Sequence, residues 1–289
     1  MSRRARSSPG FLTAALLAVA APACSLLFAT DLDGARGAAD PDAEAAEAAA
    51  DALTDGERDD VAPRDGGDGG DADAGSRGCA SYDPAPDFCE DFDDGPLARG
   101  WTKLQEQSGT LAFDPLAYSP PRSGRANLND APSCSYTRFE RSISGVGSKR
   151  VEVRAQLRPT GPWSRTFTLF TVHIRSCAVL FYVHPNGAGA IDSSSINIQS
   201  GDPLTNDERD VKGGPRLNEW TDLWFEAVPN ATSGSSLTIS FHHEDGSVEE
   251  TTVNAPQCRV GGDLFVAPGF HCEDGTGEVR YDDVRAYWE

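Results

Sequence analysis

Between Phe28 and Tyr82 this 289-residue chain has no aromatic residue. A segment so poor in large apolar groups cannot bury enough surface to offset the entropy of ordering, which excludes a packed core there. Basic residues are also in short supply. The 25 lysines and arginines against 45 acids leave a net charge of −20, and a surface of that sign repels nucleic acid and anionic headgroups. No CxxC or HxxxH spacing is present to suggest structural zinc. Neither a GxSxG elbow nor an HExxH helix accompanies His173, His184 or His271. In VKGGPRL, Gly213-Gly214 lacks the strand–helix context of a phosphate cradle. His242-His243-Glu244-Asp245 reads as a solvated turn, because adjacent strand residues point to opposite faces. No segment has the pattern of a long amphipathic helix. Hydrophobic content is 38%, and all five tryptophans lie beyond Tyr82. The chain therefore divides into a leader, a tether and one domain.

The leader is residues 1–23. MSRRARSSPG carries three arginines and no acid, and the short apolar core FLTAALLAVAA follows. Together they have the form of an export signal, with positive charge kept on the cytoplasmic side. Ala21-Pro22-Ala23 places small residues before Cys24, so cleavage at an A-x-A site or in front of a lipidated cysteine both fit. The stretch APACS resembles a bacterial lipobox, although Ala21 stands where leucine is usual. Cysteine arithmetic favours the lipid. Setting Cys24 aside leaves Cys79, Cys89, Cys134, Cys177, Cys258 and Cys272, an even set suited to disulfides in an oxidising compartment. An uncleaved anchor is the alternative, since residues 11–29 are apolar for about one membrane span. Ser25 after Cys24 resembles the signal that sorts lipoproteins to the outer membrane of Gram-negative bacteria, which gives a cell-envelope location with the membrane as one partner.

Residues 24–78 form the expected tether. Residues 31–78 hold fifteen acids and four arginines, and like-charge repulsion extends such a chain. DAEAAEAAADAL (42–53) has helix propensity without an apolar stripe. DGGDGGDADAG (65–75) is similar to a calcium-binding glycine–aspartate repeat, but such repeats need tandem copies, and barely one is present.

Residues 79–289 have a strand rhythm. KRVEVRAQL (149–157) alternates, with Val151, Val153, Ala155 and Leu157 on one face. RTFTLFTVHI (165–174) and CAVLFYV (177–183) are apolar on both faces, as central strands are. LTISFHHEDGSVEETTV (237–253) reads as a hairpin turning at Asp245-Gly246. WTDLWFEAV (220–228) and EVRYDDVRAYW (278–288) complete the set. About a dozen strands imply an all-β, two-sheet antiparallel sandwich. Proximity pairs Cys79 with Cys89 and Cys258 with Cys272, leaving Cys134 and Cys177 to cross between strands; short loops closed this way each contribute about 2–3 kcal/mol.

Four segments then carry a resemblance: CEDFDDGPLARGW (89–101), YSPPRSGRANL (118–128), NEWTDLWFEAV (218–228) and GEVRYDDVRAYW (277–288). In order and spacing they resemble the concanavalin A-like lectin/glucanase jelly roll, in its laminin-G-like form. The resemblance spans the domain, and the family includes lectins, glycosidases, lyases and structural modules, so it does not fix an activity. It implies that the first and last strands are neighbours, which brings Glu90 and Asp91 toward Asp282 and Asp283. Such hard oxygen ligands suit a structural calcium ion. The plainer alternative makes Asp93-Asp94-Gly95 a turn and pairs Asp283 with an arginine.

If Leu223, Phe225 and Ala227 face the core, Trp220, Asp222, Trp224 and Glu226 share the other face. An aromatic plate flanked by carboxylates suits a sugar-binding groove; the alternative is that Trp224 covers a hydrophobic patch. The Glu-x-Asp-x-Glu run of the glucanase branch is missing. Asp222 and Glu226, four residues apart, have Cα atoms about 13 Å apart on a strand, beyond the ~5 Å between carboxylates of a retaining pair. The expectation is an exported lipoprotein whose domain is a non-catalytic carbohydrate-binding or adhesion module. A divergent glycoside hydrolase or polysaccharide lyase, and a structural envelope protein without a glycan ligand, are the alternatives.

Overall fold

The computed structural model describes residues 78–289, except 162, 164, 187, 202–204, 231–233 and the side chains of residues 133 and 272. The leader, Cys24 and all but the last residue of the tether lie outside the described residues. After a 3-10 turn at Cys79–Ser81, the described chain is antiparallel β-structure.

Two long strands organise it, β4 (Ser123–Val146) and β13 (Gly262–Trp288). They pair from Gly262 opposite Val146 to Tyr281 opposite Gly124, with the register shifting repeatedly between Phe270 and Gly277. Such irregularities bend a ribbon, and positive φ at Gly269 (123°) and Gly275 (99°) supplies backbone conformations that other residues rarely adopt. The two halves of the ribbon therefore serve different sheets.

In the first sheet, β12 (Val248–Ala255), β11 (Ser235–His243), β10 (Thr221–Pro229) and β5 (Val151–Thr160) lead to the second half of β13. Beyond it lie β1 (Phe88–Glu90) and the first half of β4, which carries β3 (Gly109–Asp114). The second sheet runs β9 (Thr205–Val211), β8 (Ile191–Ser200), β7 (Cys177–Pro185) and β6 (Phe167–Ile174). It continues through the first half of β13 and the second half of β4 to β2 (Lys103–Glu106).

The sheets stack as a jelly-roll sandwich. Leu223, Phe225 and Ile239 from the first meet Phe170, Val172, Val179, Phe181 and Ile196 from the second around a void of about 20 Å³. Phe181 and Phe241 touch across this layer, with ring centroids 5.2 Å apart. The alternation read on β5 holds: Val151, Val153, Ala155 and Leu157 are all buried. The β11–β12 hairpin turns at Gly246, where φ is 79°.

The cysteine pairing differs from proximity. Cys79–Cys89 forms, with Cα atoms 5.7 Å apart, but Cys258 bonds to Cys177, 81 residues away, with Cα atoms 5.3 Å apart. That bond excludes both Cys258–Cys272 and Cys134–Cys177. The reason lies in the sheet. The turn before β7 lies against the turn after β12 through an Arg175–Arg259 bridge, and the Ser176 hydroxyl donates to the Gln257 carbonyl at 2.9 Å. Cys134, within β4, is also disulfide-bonded.

Candidate functional site

The outer face of the first sheet holds three of the four sugar-binding candidates. Asp222, Trp224 and Glu226 alternate with the buried Leu223, Phe225 and Ala227, as period-2 geometry requires. Trp220 does not join them. It precedes β10, is 6% exposed, and packs edge-on against Tyr118 at 6.1 Å.

Each of the three is held by the protein itself. His242, from β11, stacks on the Trp224 ring at 4.1 Å, and the Arg154 guanidinium, from β5 on the other side, lies 3.5 Å from its centroid. With both flanks of the indole occupied, a pyranose finds no bare ring to stack on. Glu226 pairs with Arg150 at 2.6 Å, and Asp222 accepts from Arg285 at 3.4 Å. Burial pushes the Asp222 carboxyl upward against the pull of Arg285.

The acidic ends do meet, since β1 pairs with β13 at Glu90 opposite Val284. A register shift between Asp282 and Arg285 turns Asp282 and Asp283 inward, and both are wholly buried. Asp282 Oδ2 accepts from the Tyr118 and Ser119 backbone amides at 2.9 and 2.8 Å, and Oδ1 accepts from the Asp283 amide at 2.9 Å. Asp283 accepts from the Ser119 hydroxyl at 3.2 Å and the Tyr82 hydroxyl at 2.7 Å. Asp91 accepts from the Cys79 amide and Glu90 from the Phe92 amide, both at 3.0 Å. Burial raises Glu90 to about 7, Asp282 to about 8 with Asp283 beside it, and Asp283 to about 6.

Calcium takes six to eight oxygens. Among the described residues no three His, Cys, Asp or Glu side chains converge as ligands, and the four carboxylates already accept protein donors. These side chains do not by themselves make a calcium site.

The outer face of the second sheet gathers a different set. On β4, Tyr136, Arg138 and Glu140 alternate with the core-facing Thr137 and Phe139. Gln105 of β2 sits opposite Arg138, and His173 of β6 sits opposite Phe265 of β13. Arg138 is the hub. Its Nε donates to Glu140 Oε1 at 2.8 Å and to Gln105 Oε1 at 3.1 Å. Its guanidinium lies 4.9 Å from the Tyr136 ring centroid and 5.7 Å from that of Phe265. Nη1 contacts His271 Nδ1. Because a guanidinium only donates, His271 Nδ1 is the acceptor and the ring proton resides on Nε2. The Tyr136 and His271 rings meet edge-on at 5.2 Å, and His173 rests on Phe265 at 4.8 Å.

The electrostatics keep both imidazoles neutral. Burial, reinforced by the Arg138 charge, lowers His173 to about 4 and pushes His271 well below its ordinary value. Burial also lowers Arg138, opposed by Glu140. Farther along the same face, Glu273 accepts from the Thr168 amide at 2.7 Å and burial raises it to about 7. Tyr182, raised by burial, lies opposite Thr168. Tyr136, His173, Phe265 and Gln105 stay half-buried and hence reachable. The set combines a guanidinium paired with Glu140, an amide, a phenol and two uncharged imidazoles.

In the sequence His173 and His271 stand isolated, and little marks the rest of the cluster. The one local signal was SYTRFERS (135–142), where Tyr136, Arg138 and Glu140 recur at every second residue.

No protein-family model matches this sequence, and no curated protein matches it. Solved structures do resemble it in fold. The endo-β-1,4-glucuronan lyase from the fungus Trichoderma reesei aligns with a TM-score of 0.55 at 12% identity, covering 71% of this chain and 96% of that one. The marine PL-14 alginate lyase from Aplysia kurodai aligns with a TM-score of 0.51 at 10% identity, covering 71% and 99%. At these identities the likeness is one of fold.

Proposed function

We propose that the domain binds polysaccharide on the outer face of its second sheet, around Arg138, and that the chain is an exported envelope lipoprotein anchored through Cys24. The observation carrying this reading is the cluster itself. Arg138, Gln105, Tyr136, His173, His271 and Phe265 come from four strands onto one face. Burying a guanidinium and two imidazoles there is expensive for stability alone, and such groups gather where a ligand is handled. Aromatic rings beside planar donors suit a sugar ring and its oxygens. Lyases for glucuronan and alginate built on the same fold add support for a polysaccharide partner.

A second reading, a β-eliminating lyase, is favoured by the uncharged state of the histidines. A carboxylate on the sugar would accept from the Arg138 Nη protons that Glu140 and His271 do not use. The half-buried His173 imidazole would take the C5 proton, the C4–O bond would break as the C4–C5 double bond forms, and the Tyr136 phenol would protonate the departing oxygen.

Calorimetry of the purified protein against a polysaccharide panel, with ultraviolet absorbance of unsaturated ends read in parallel, tests both readings. Binding that disappears in Arg138→Ala supports the site, and binding retained in that variant sinks it. Release of unsaturated ends, abolished in His173→Ala, makes the protein an enzyme. For the anchor, metabolic labelling with a fatty acid is expected to mark the wild-type chain and not Cys24→Ser.

A further inference from the structure

A second cavity lies away from the Arg138 face, where the free edges of the two sheets approach one another. The loop after β9 passes between them, and the Lys212 amide donates to Thr251 Oγ1 of β12 at 2.8 Å. Between this loop, the start of β8 and Glu249 of β12 is a pocket of about 270 Å³, close to the ~300 Å³ lower end of small-ligand sites. Ile191, Pro215 and Leu217 give it apolar walls, and Asp192 and Glu249 bring two carboxylates.

The polar groups are arranged for a visitor. Asp192 is exposed, and its carboxylate makes no hydrogen bond or ion pair among the described residues. Glu249 uses Oε2 toward His243 Nε2 at 3.1 Å and the Gly214 amide at 3.4 Å, which leaves Oε1 open. Arg216, the cation in the lining, is already taken by Asp245 at 2.7 Å, Ser247 at 3.0 Å and Glu219 at 3.7 Å. Behind the Gly214 wall, and closed off from the pocket by it, the Ser194 hydroxyl is buried and has no hydrogen-bond partner among the described residues. A Cβ at Gly214 would lie 2.1 Å from that oxygen, and one at Gly213, where φ is +68°, would lie 1.6 Å from Glu249 Oε2. Only glycine leaves both oxygens where they are.

We infer that this pocket binds a hexosamine residue with a free, protonated amine. The ammonium sits at Asp192 and Glu249, and the C–H face of the ring covers Ile191, Pro215 and Leu217. A chain carrying −20 overall concentrates cations rather than anions near such a site. A lysine side chain offers the same ammonium, but its thin stem leaves the pocket partly empty.

The site does not depend on the Arg138 face, so Arg138→Ala leaves it intact. The test is calorimetry of the full chain with a glucosamine oligomer, its fully N-acetylated counterpart and a lysine-rich peptide. The glucosamine oligomer is expected to bind. Affinity should fall on the order of tenfold or more in Asp192→Asn and Glu249→Gln, the loss expected for a charge-assisted bond. Ser193→Trp, at the exposed rim, should block binding while the circular-dichroism spectrum stays unchanged. Equal binding of the N-acetylated oligomer, equal binding of the peptide, or undiminished affinity in Asp192→Asn overturns the assignment.

Discussion

Replacing Glu140 by glutamine removes the carboxylate that compensates Arg138 and leaves the guanidinium in place. The two side chains are 10% and 7% exposed, with Nη2 to Oε1 at 2.7 Å. Breaking a buried pair by removing one partner costs about 3–5 kcal/mol, because the remaining charge is stranded. At roughly 2–4 °C per kcal/mol for a domain of this size, Tm should fall by roughly 6–20 °C. The double variant Arg138→Met/Glu140→Gln strands nothing, so its stability should return to within about 1 kcal/mol of wild type. Differential scanning calorimetry at pH 7 reads both, and polysaccharide calorimetry on the double variant asks whether a well-folded protein without Arg138 has lost its ligand. If Glu140→Gln shifts Tm by less than about 3 °C, or if the double variant loses as much as both singles together, the pair is not a buried charge held for binding and the reasoning fails.

Other consequences follow from the same geometry. Cys177→Ala/Cys258→Ala opens an 81-residue loop and should cost about 4–5 kcal/mol by loop-closure entropy; a urea midpoint that does not move would contradict this. Glu90, Asp282 and Asp283 hold protons in the fold that the unfolded chain releases near pH 4. Their contribution is complete below that pH and is lost as pH rises through about 6 to about 8, so Tm should decline over that window and Asp282→Asn should flatten the decline. Calcium in excess is expected to leave the slope as it is, and a calcium-dependent rise in Tm near pH 8 would restore the ion to this seam. Trp224→Ala, which removes a ring held between His242 and Arg154, should destabilise by about 1–3 kcal/mol through lost packing and leave polysaccharide affinity unchanged; a lost affinity would return the binding site to the first sheet.

What the sequence determined by itself is whatever depends on near neighbours in the chain. The alternation of Val151, Val153, Ala155 and Leu157, the run of Leu223, Phe225 and Ala227, the turn at Gly246 and the Cys79–Cys89 pair are local, and the structure has each of them. The sandwich follows, because about a dozen short strands with no helix to cover them bury their apolar faces by stacking sheet on sheet. Tertiary structure alone decided the rest. Gln105, Arg138, His173 and His271 are brought together by strand register across four strands, and Cys177 reaches Cys258 because two turns distant in sequence lie side by side. Periodicity says which face a side chain takes. It does not say which strand lies next to it, nor where a shift such as that between Phe270 and Gly277 re-aims the chain. It also cannot show that a ring such as Trp224, correctly placed on an outer face, is already held there by its neighbours.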